Sequence, residues 1–534
     1  MEQSNSNQQV VVERERLEPA GVVPIQKDIE SPLLTKIRLN FGVFGGISLI
    51  FGLFFTLLFY KVSLGFNVFA FTVIMVLLLC ISGRKLSVPL KRTNLLYYAA
   101  AILLGLSSML TSSDVLQFFN IIGIIFLLDL SLLHQFYDDE KWDFSRHFGK
   151  MIGLLFYSLA SLGKPFVHGT GFMKRIKVLR NDKIRNVFIG IVISVPLVFV
   201  ILALLSSADL LFGELTKSIF DFVFSGDVLG VCFMLVFGIL ACYCILCGAV
   251  ANVGEKAAAE KKKADASIAI TIMLILCFVY IIFCGIQIAY LFASGVFVLP
   301  QEYTFAEYAR RGFFELLAVA AINIILMLLE KALFQENKLI SILITLITFC
   351  TYIMIGSATY RMLLYIGAYH LTFLRVFVLL ALFIIALILA GVVIAEFRKE
   401  FPLFRYCVAA VTIPYLIFSF SKPDYYIAEY LINQVDTISY SDMNYLTREL
   451  SLDAAPAILP VITDPKRWSD EKVEADKSGE TIYGNDEIYY GDTKFYAAEI
   501  KGEYYARINR TVSKREFRDF NYSIYRVGKI SKLK

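Results

Sequence analysis

The stretch Leu371–Ala395 reads LTFLRVFVLLALFIIALILAGVVIA and carries one charged residue, Arg375. A helix this long and this apolar exceeds the run of about 20 residues that crosses a bilayer core. It is apolar on every face, as a lipid-solvated helix is and a half-buried one in water is not. Working outward, comparable runs occupy 41–60, 64–82, 94–110, 115–133, 186–206, 228–252, 267–292, 312–334, 339–357 and 404–421. With 371–395 these make eleven. Hydrophobic residues are 57% of the chain and charged ones 18%, against about 25% in an ordinary soluble domain. A soluble multidomain enzyme is excluded.

Charge sets the orientation, because Lys and Arg stay on the cytoplasmic side. Lys27, Lys36 and Arg38 place the N-terminus inside, and residues 1–35 read as a disordered cytosolic leader. Arg84, Lys85, Lys91 and Arg92 mark the next inner loop. The short apolar run 151–163 has Lys141, Arg146 and Lys150 before it and Lys164, Lys174 and Arg175 after it. With both flanks basic, it is expected to be interfacial or re-entrant and not to cross. Eleven crossings over 36–421 then leave the C-terminus outside, in a multi-pass cell-membrane protein.

Residues 422–534 differ in composition. They hold 17 Lys and Arg against 19 Asp and Glu, so the excess of positive charge belongs to the preceding region. From Thr481, Tyr, Phe and Ile alternate with polar residues between Gly484, Gly491 and Gly502. This pattern predicts two to four antiparallel strands. The expected fold is therefore an all-α polytopic membrane domain followed by a small exported α+β domain.

Several motifs resemble a bacterial membrane family known only as domain of unknown function 4173 (DUF4173), related to DUF4153. They are Leu205-Ser-Ser-Ala-Asp209, the run Tyr303 to Glu315, Arg361-Met-Leu-Leu-Tyr365, Leu371-Thr-Phe-Leu-Arg375, Leu450-Ser-Leu-Asp-Ala-Ala-Pro456 and Phe517 to Tyr525. The resemblance spans roughly 180–534. It implies a bacterial membrane setting and carries no established activity.

The strongest polar pattern is Glu307, Arg311 and Glu315, spaced by four along one helix face, with Arg310 beside it. A carboxylate entering lipid depth, as Glu315 does, needs a partner. Asp209, Arg361 and Arg375 fall on the same outer side by the charge rule, so these seven residues form a candidate outer-face cluster for an ion, lipid headgroup or peptide. Asn323 reads as an interhelical hydrogen-bonding residue. His134 and Asp139 have an H-x-x-x-x-D spacing seen in glycerolipid acyltransferases, here read as coincidence. Cys244 and Cys247 read as small apolar helix residues.

No metalloprotease, serine-hydrolase or phosphate-loop motif occurs, and no catalytic residue, metal or cofactor is expected. No stretch interleaves bases with aromatics as a nucleic-acid surface does. The expected partners are the bilayer and a membrane or cell-envelope protein. The expected function is that of a non-enzymatic sensor, scaffold or regulator acting through its outer face and tail. A secondary transporter is the alternative, and a membrane-embedded lipid-modifying enzyme comes third.

Overall fold

The computed structural model describes residues 31–140, 142–173, 226–253, 263–292, 313–335, 337–398, 400–435, 440–464 and 495–532, with isolated positions between them. The described residues are mostly helical. The helices of the apolar region are α1 Pro32–Leu39, α2 Phe41–Phe59, α3 Phe66–Lys85, α4 Asn94–Leu110, α5 Asp114–Phe136, α6 Phe144–Ala160, α7 Lys164–Met173, α8 Gly226–Val250, α9 Ala266–Phe292, α10 Phe313–Leu333, α11 Lys338–Tyr369, α12 Phe373–Phe397 and α13 Leu403–Phe420. Among the described residues, eight helices are long and apolar enough to cross a membrane. They are α2, α3, α5, α8, α9, α11, α12 and α13. The fold is an all-α polytopic membrane architecture. The expected span 186–206 lies almost wholly outside the described residues, and α4 is a shorter apolar helix.

Helices α2 and α8 run antiparallel. Tyr60, after α2, donates to Asp227 at the start of α8, so these two ends are neighbours. At the opposite end, Ser31 contacts the Val250 carbonyl through a short hydrogen bond. Gly52 and Gly238 let α2 and α8 touch: a Cβ on Gly238 would lie 2.9 Å from the Gly52 Cα. Small residues give membrane helices this close backbone approach. Asn323 of α10 accepts from Tyr280 of α9 at 2.7 Å and donates to Thr351 of α11 at 2.9 Å, as expected of an interhelical residue.

The run 151–163 falls within α6 and the turn after it. His147 of α6 contacts Asp139, just past the end of α5, and stacks on Phe404 at the start of α13. Ser158 abuts Gly248, near the end of α8. Phe172 of α7 packs on Phe41, the first residue of α2. All these partners belong to one end of the bundle, so α6 and α7 lie across that end.

The C-terminal segment contains α14 Pro423–Gln434, α15 Tyr440–Asn444, α16 Ala455–Ile462, α17 Ala497–Ser513 and α18 Tyr522–Ser531. Ile427, Leu431, Leu446, Leu459, Ile508, Ile524 and Val527 form its core, with Leu371 and Phe373 at the start of α12 packed against it. The strand expectation fails over 497–513, which is helical. Ile500, Tyr504 and Ile508 are buried at four-residue spacing, and a helical period places them on one face. Gly502 sits inside this helix with open space beside its Cα, not in a turn. The described strands are β1 Lys472–Val473 and β2 Phe495–Tyr496, an antiparallel pair. Thr481 to Asp492 lie outside the described residues.

Candidate functional site

Three of the seven residues of the expected outer cluster, Glu315, Arg361 and Arg375, are described. Asp209, Glu307, Arg310 and Arg311 lie outside the described residues. Glu315 is exposed in the first turn of α10. Arg361 donates to Gln287 Oε1 at 3.2 Å, and Gln287 also accepts from Ser357 at 2.7 Å. Arg375 turns back on the end of α11: it donates to the Tyr369 carbonyl at 2.7 Å, contacts that of His370, and its guanidinium lies 4.0 Å from the Tyr365 ring centre. A cation at a helix C-terminus satisfies carbonyls that have no intrahelical partner. The His370 φ of 64° ends α11 there.

A different polar seam forms where the C-terminal segment meets the helices. Between α4 and α5 the turn Thr111-Ser-Ser113 faces a short 3-10 turn at Leu452–Ala454. Asp453, 3% exposed, receives three hydrogen bonds from it. Thr111 Oγ1 donates to Oδ2 at 2.5 Å, and the Ser112 amide and hydroxyl each donate to Oδ1 at 3.0 Å. A buried carboxylate is tolerable only when its lone pairs are so filled. Asn521 donates to the Thr111 carbonyl at 2.6 Å and caps α18 with its Oδ1.

Beneath that turn, Asn120 of α5 accepts from Tyr415 and Ser419 of α13, each at 2.9 Å, and donates to Ser108 at 3.1 Å. Ser419 and Ser107 share a 2.6 Å hydrogen bond. Beside it, the turn before α18 grips the loop from α2 to α3. Arg515 donates to the Leu64 carbonyl at 2.7 Å, Arg518 to that of Leu57 at 2.9 Å, and the Phe66 amide to the Phe520 carbonyl at 2.8 Å. A Cβ on Gly65 would lie 2.6 Å from two carbonyl oxygens, those of Asp519 and Phe520, so only glycine fits this approach.

The opposite end of the bundle holds a second constellation, around Asp139 in the turn between α5 and α6. His134 Nδ1 lies 2.7 and 2.8 Å from the two Asp139 oxygens, and His147 Nε2 lies 3.4 Å from Oδ2. Arg405 and Lys91 stand 3.5 and 3.7 Å from Oδ1. Burial pushes the Asp139 carboxyl up, but the hydrogen bonds from His134 and His147, then the charge of His134 and that of Arg405, outweigh it and hold it well below the usual range. On the far side of the His134 ring, Nε2 meets the hydroxyl of Thr93. The H-x-x-x-x-D spacing, read as coincidence in the sequence, is thus a hydrogen-bonded pair. No group of three His, Cys, Asp or Glu suited to a metal occurs among the described residues.

The sequence model of a family described as Domain of unknown function (DUF4153) matches residues 98–461, well over half of the chain. This chain belongs to the DUF4153 family. No curated protein and no solved structure matches it. The DUF4153 region begins earlier than the resemblance read from motifs and stops before Phe517–Tyr525. It contains both partners of the Asp453–Thr111 contact and of the His134–Asp139 pair. Asn521, Arg515 and Thr93 stand outside it.

Proposed function

We propose that this DUF4153 protein is a bacterial cell-membrane sensor, scaffold or regulator, in which the C-terminal segment is an extracytoplasmic arm coupled to the helices. The accompanying topology has eleven crossings, an N-terminus in the cytoplasm and 422–534 outside. The observation that carries this reading is the burial of Asp453 against Thr111 and Ser112. A displaced arm would strand those hydroxyl donors and reopen the Asn120–Ser419 layer beneath. Events on the arm would therefore reach α4, α5 and α13. The partner suited to such an arm is another membrane or cell-envelope protein.

The test places a photo-crosslinking amino acid at Tyr426 or Tyr525, both more than half exposed. A functional arm gives a discrete adduct in intact cells, and Asp453→Ala weakens that adduct together with complementation of a null strain. Absence of an adduct from both positions, with full complementation by Asp453→Ala, would sink the reading. Dissipation of a solute gradient by the purified protein in vesicles would favour transport instead.

A further inference from the structure

We propose that Thr93, His134 and Asp139 form an acyl-transfer site at the membrane surface, with the ester bond of a glycerophospholipid as its substrate. Thr93 is the nucleophile, His134 the general base and Asp139 the residue that positions His134.

The roles follow from the atoms. In the neutral ring, a proton on Nδ1 points at the Asp139 carboxylate 2.7 and 2.8 Å away. That leaves Nε2 with its lone pair toward Thr93 Oγ1, whose hydroxyl donates to it. A hydroxyl on one imidazole nitrogen and a buried carboxylate on the other is the arrangement by which hydrolases activate an alcohol, and it is recognised by geometry, not chain order. Thr93 stands at the N-cap of α4, where a threonine hydroxyl normally accepts a hydrogen bond from the first turn of its own helix. Here it makes no such bond, because it is turned to His134. The base and its orienter are buried at 3% exposure each, whereas Thr93 is exposed. His147 and Arg405 hold Asp139 from the α6 and α13 sides, and Tyr97 lies edge-on to the His134 ring.

The surroundings select the substrate. Arg92 and the half-buried Lys91 precede Thr93, and the next outward residues are Leu95 and Leu96, 53% and 71% exposed, with Leu90 at 45%. In a phospholipid the ester carbonyl lies between an anionic phosphate and an apolar chain. Along the chain, Thr93 lies between the exposed Arg92 and the exposed Leu95 and Leu96 in the same order.

In the first step Oγ1 of Thr93 bonds to the ester carbonyl carbon as its proton passes to His134 Nε2. The carbon–oxygen bond to the glycerol then breaks, and that oxygen takes the proton from Nε2. The acyl group remains on Thr93 and the lysophospholipid leaves. Water, or an acceptor alcohol, gives a proton to Nε2 and attacks the acyl-threonine. The fatty acid or new ester departs, and Thr93 recovers its proton from His134. Asp139 stays ionised throughout and stabilises the imidazolium.

The full-length protein in detergent micelles is mixed with p-nitrophenyl decanoate, quenched in acid and mapped by mass. The proposal predicts a burst of nitrophenolate matching one decanoyl group on Thr93. Thr93→Ser keeps the burst. Thr93→Val, at an exposed position, abolishes it while melting like the parent. His134→Gln and Asp139→Asn lower its rate by about 10²–10⁴-fold, the usual weight of a positioned base. Vesicles of phosphatidylglycerol and phosphatidylethanolamine should yield lysophospholipid with the parent and with Thr93→Ser only. Absence of a burst from the folded parent overturns the proposal. So does decanoylation that persists in Thr93→Val, or a burst with no lysophospholipid from vesicles.

Discussion

Asp453 Oδ2 accepts the Thr111 hydroxyl hydrogen bond at 2.5 Å, joining residues 342 positions apart in the chain. The contact links the C-terminal segment to the turn between α4 and α5 inside a buried polar layer. Hydrogen bonds to charged groups contribute about 1.5–3 kcal/mol each. Asp453→Ala should therefore destabilise the protein by at least that much, and Thr111→Val by a similar amount. The double variant should show a coupling of about 0.5–3 kcal/mol. Unfolding in detergent, followed by cysteine-independent fluorescence, measures all three. Additive effects would mean that the two side chains act separately.

Gly65 tests the second anchor without touching a charge. Its added Cβ would meet two backbone carbonyl oxygens at 2.6 Å, and backbone cannot rotate aside. Gly65→Ala should lift the turn at 515–520 and cost about 1–3 kcal/mol, the usual scale of overpacking. Trypsin should then cut at Lys514, Arg515 or Arg518 well before it cuts the parent. An unchanged digestion pattern would show that this turn does not hold the segment down.

Asp424, in the first turn of α14, gives the C-terminal segment a pH dependence. Burial pushes its carboxyl up to about 6, opposed by the Ser451 hydrogen bond and helped by the charge of Asp453. An unfolded aspartate titrates near 3.9. The folded chain thus binds the extra proton between about pH 4 and 6. Its contribution to stability is complete below the unfolded value and is lost as pH rises through 6. Asp424→Asn should be more stable than the parent at pH 7.5, by up to about 3 kcal/mol, with the gap closing toward pH 4. Melting curves across this range decide it, and a gap that widens in acid would refute the assignment.

Gly248 reports on α6. A Cβ there would lie 2.6 Å from the Ser158 amide nitrogen, so a larger residue pushes α6 off the end of the bundle. Gly248→Leu should raise hydrogen exchange over Phe144–Ala160 and leave α11 and α12 as protected as before. Uniform exchange across the whole chain would argue that α6 is not a separate layer.

The sequence made the spans legible because a lipid-facing helix must be apolar throughout its length. Basic residues on both flanks of 151–163 set it apart from the crossing runs, and this stretch lies in α6 and the turn after it. The seam was hidden for a physical reason. Thr111-Ser-Ser113 and Asp453 are ordinary turn residues until distant chain segments meet, and no local spacing announces that. Arg361 and Arg375 were read as parts of a shared outer network; the contacts they make with Gln287 and with the end of α11 were not legible from spacing. Ile500, Tyr504 and Ile508 satisfy a helical period as well as an alternating one, since a spacing of four is even. The two periods conflict there, and packing against Ile524 and Val527 decides for the helix. His134 and Asp139 showed their spacing openly. What the sequence lacked was Thr93, 41 residues earlier, on the other imidazole nitrogen.

Asp453 clamps the C-terminal segment to one end of the helices, the end that the proposed topology puts outside. Phe66 and Phe517 touch across that junction with ring centres 5.6 Å apart, and Phe517 is exposed. Cysteines at these two positions, in a chain freed of its nine native cysteines, are treated in intact cells with a short membrane-impermeant bis-thiosulfonate. The account predicts an intramolecular link in intact cells that falls sharply when Asp453→Ala is added. A link that forms only after the cells are opened, or one indifferent to Asp453→Ala, would contradict it.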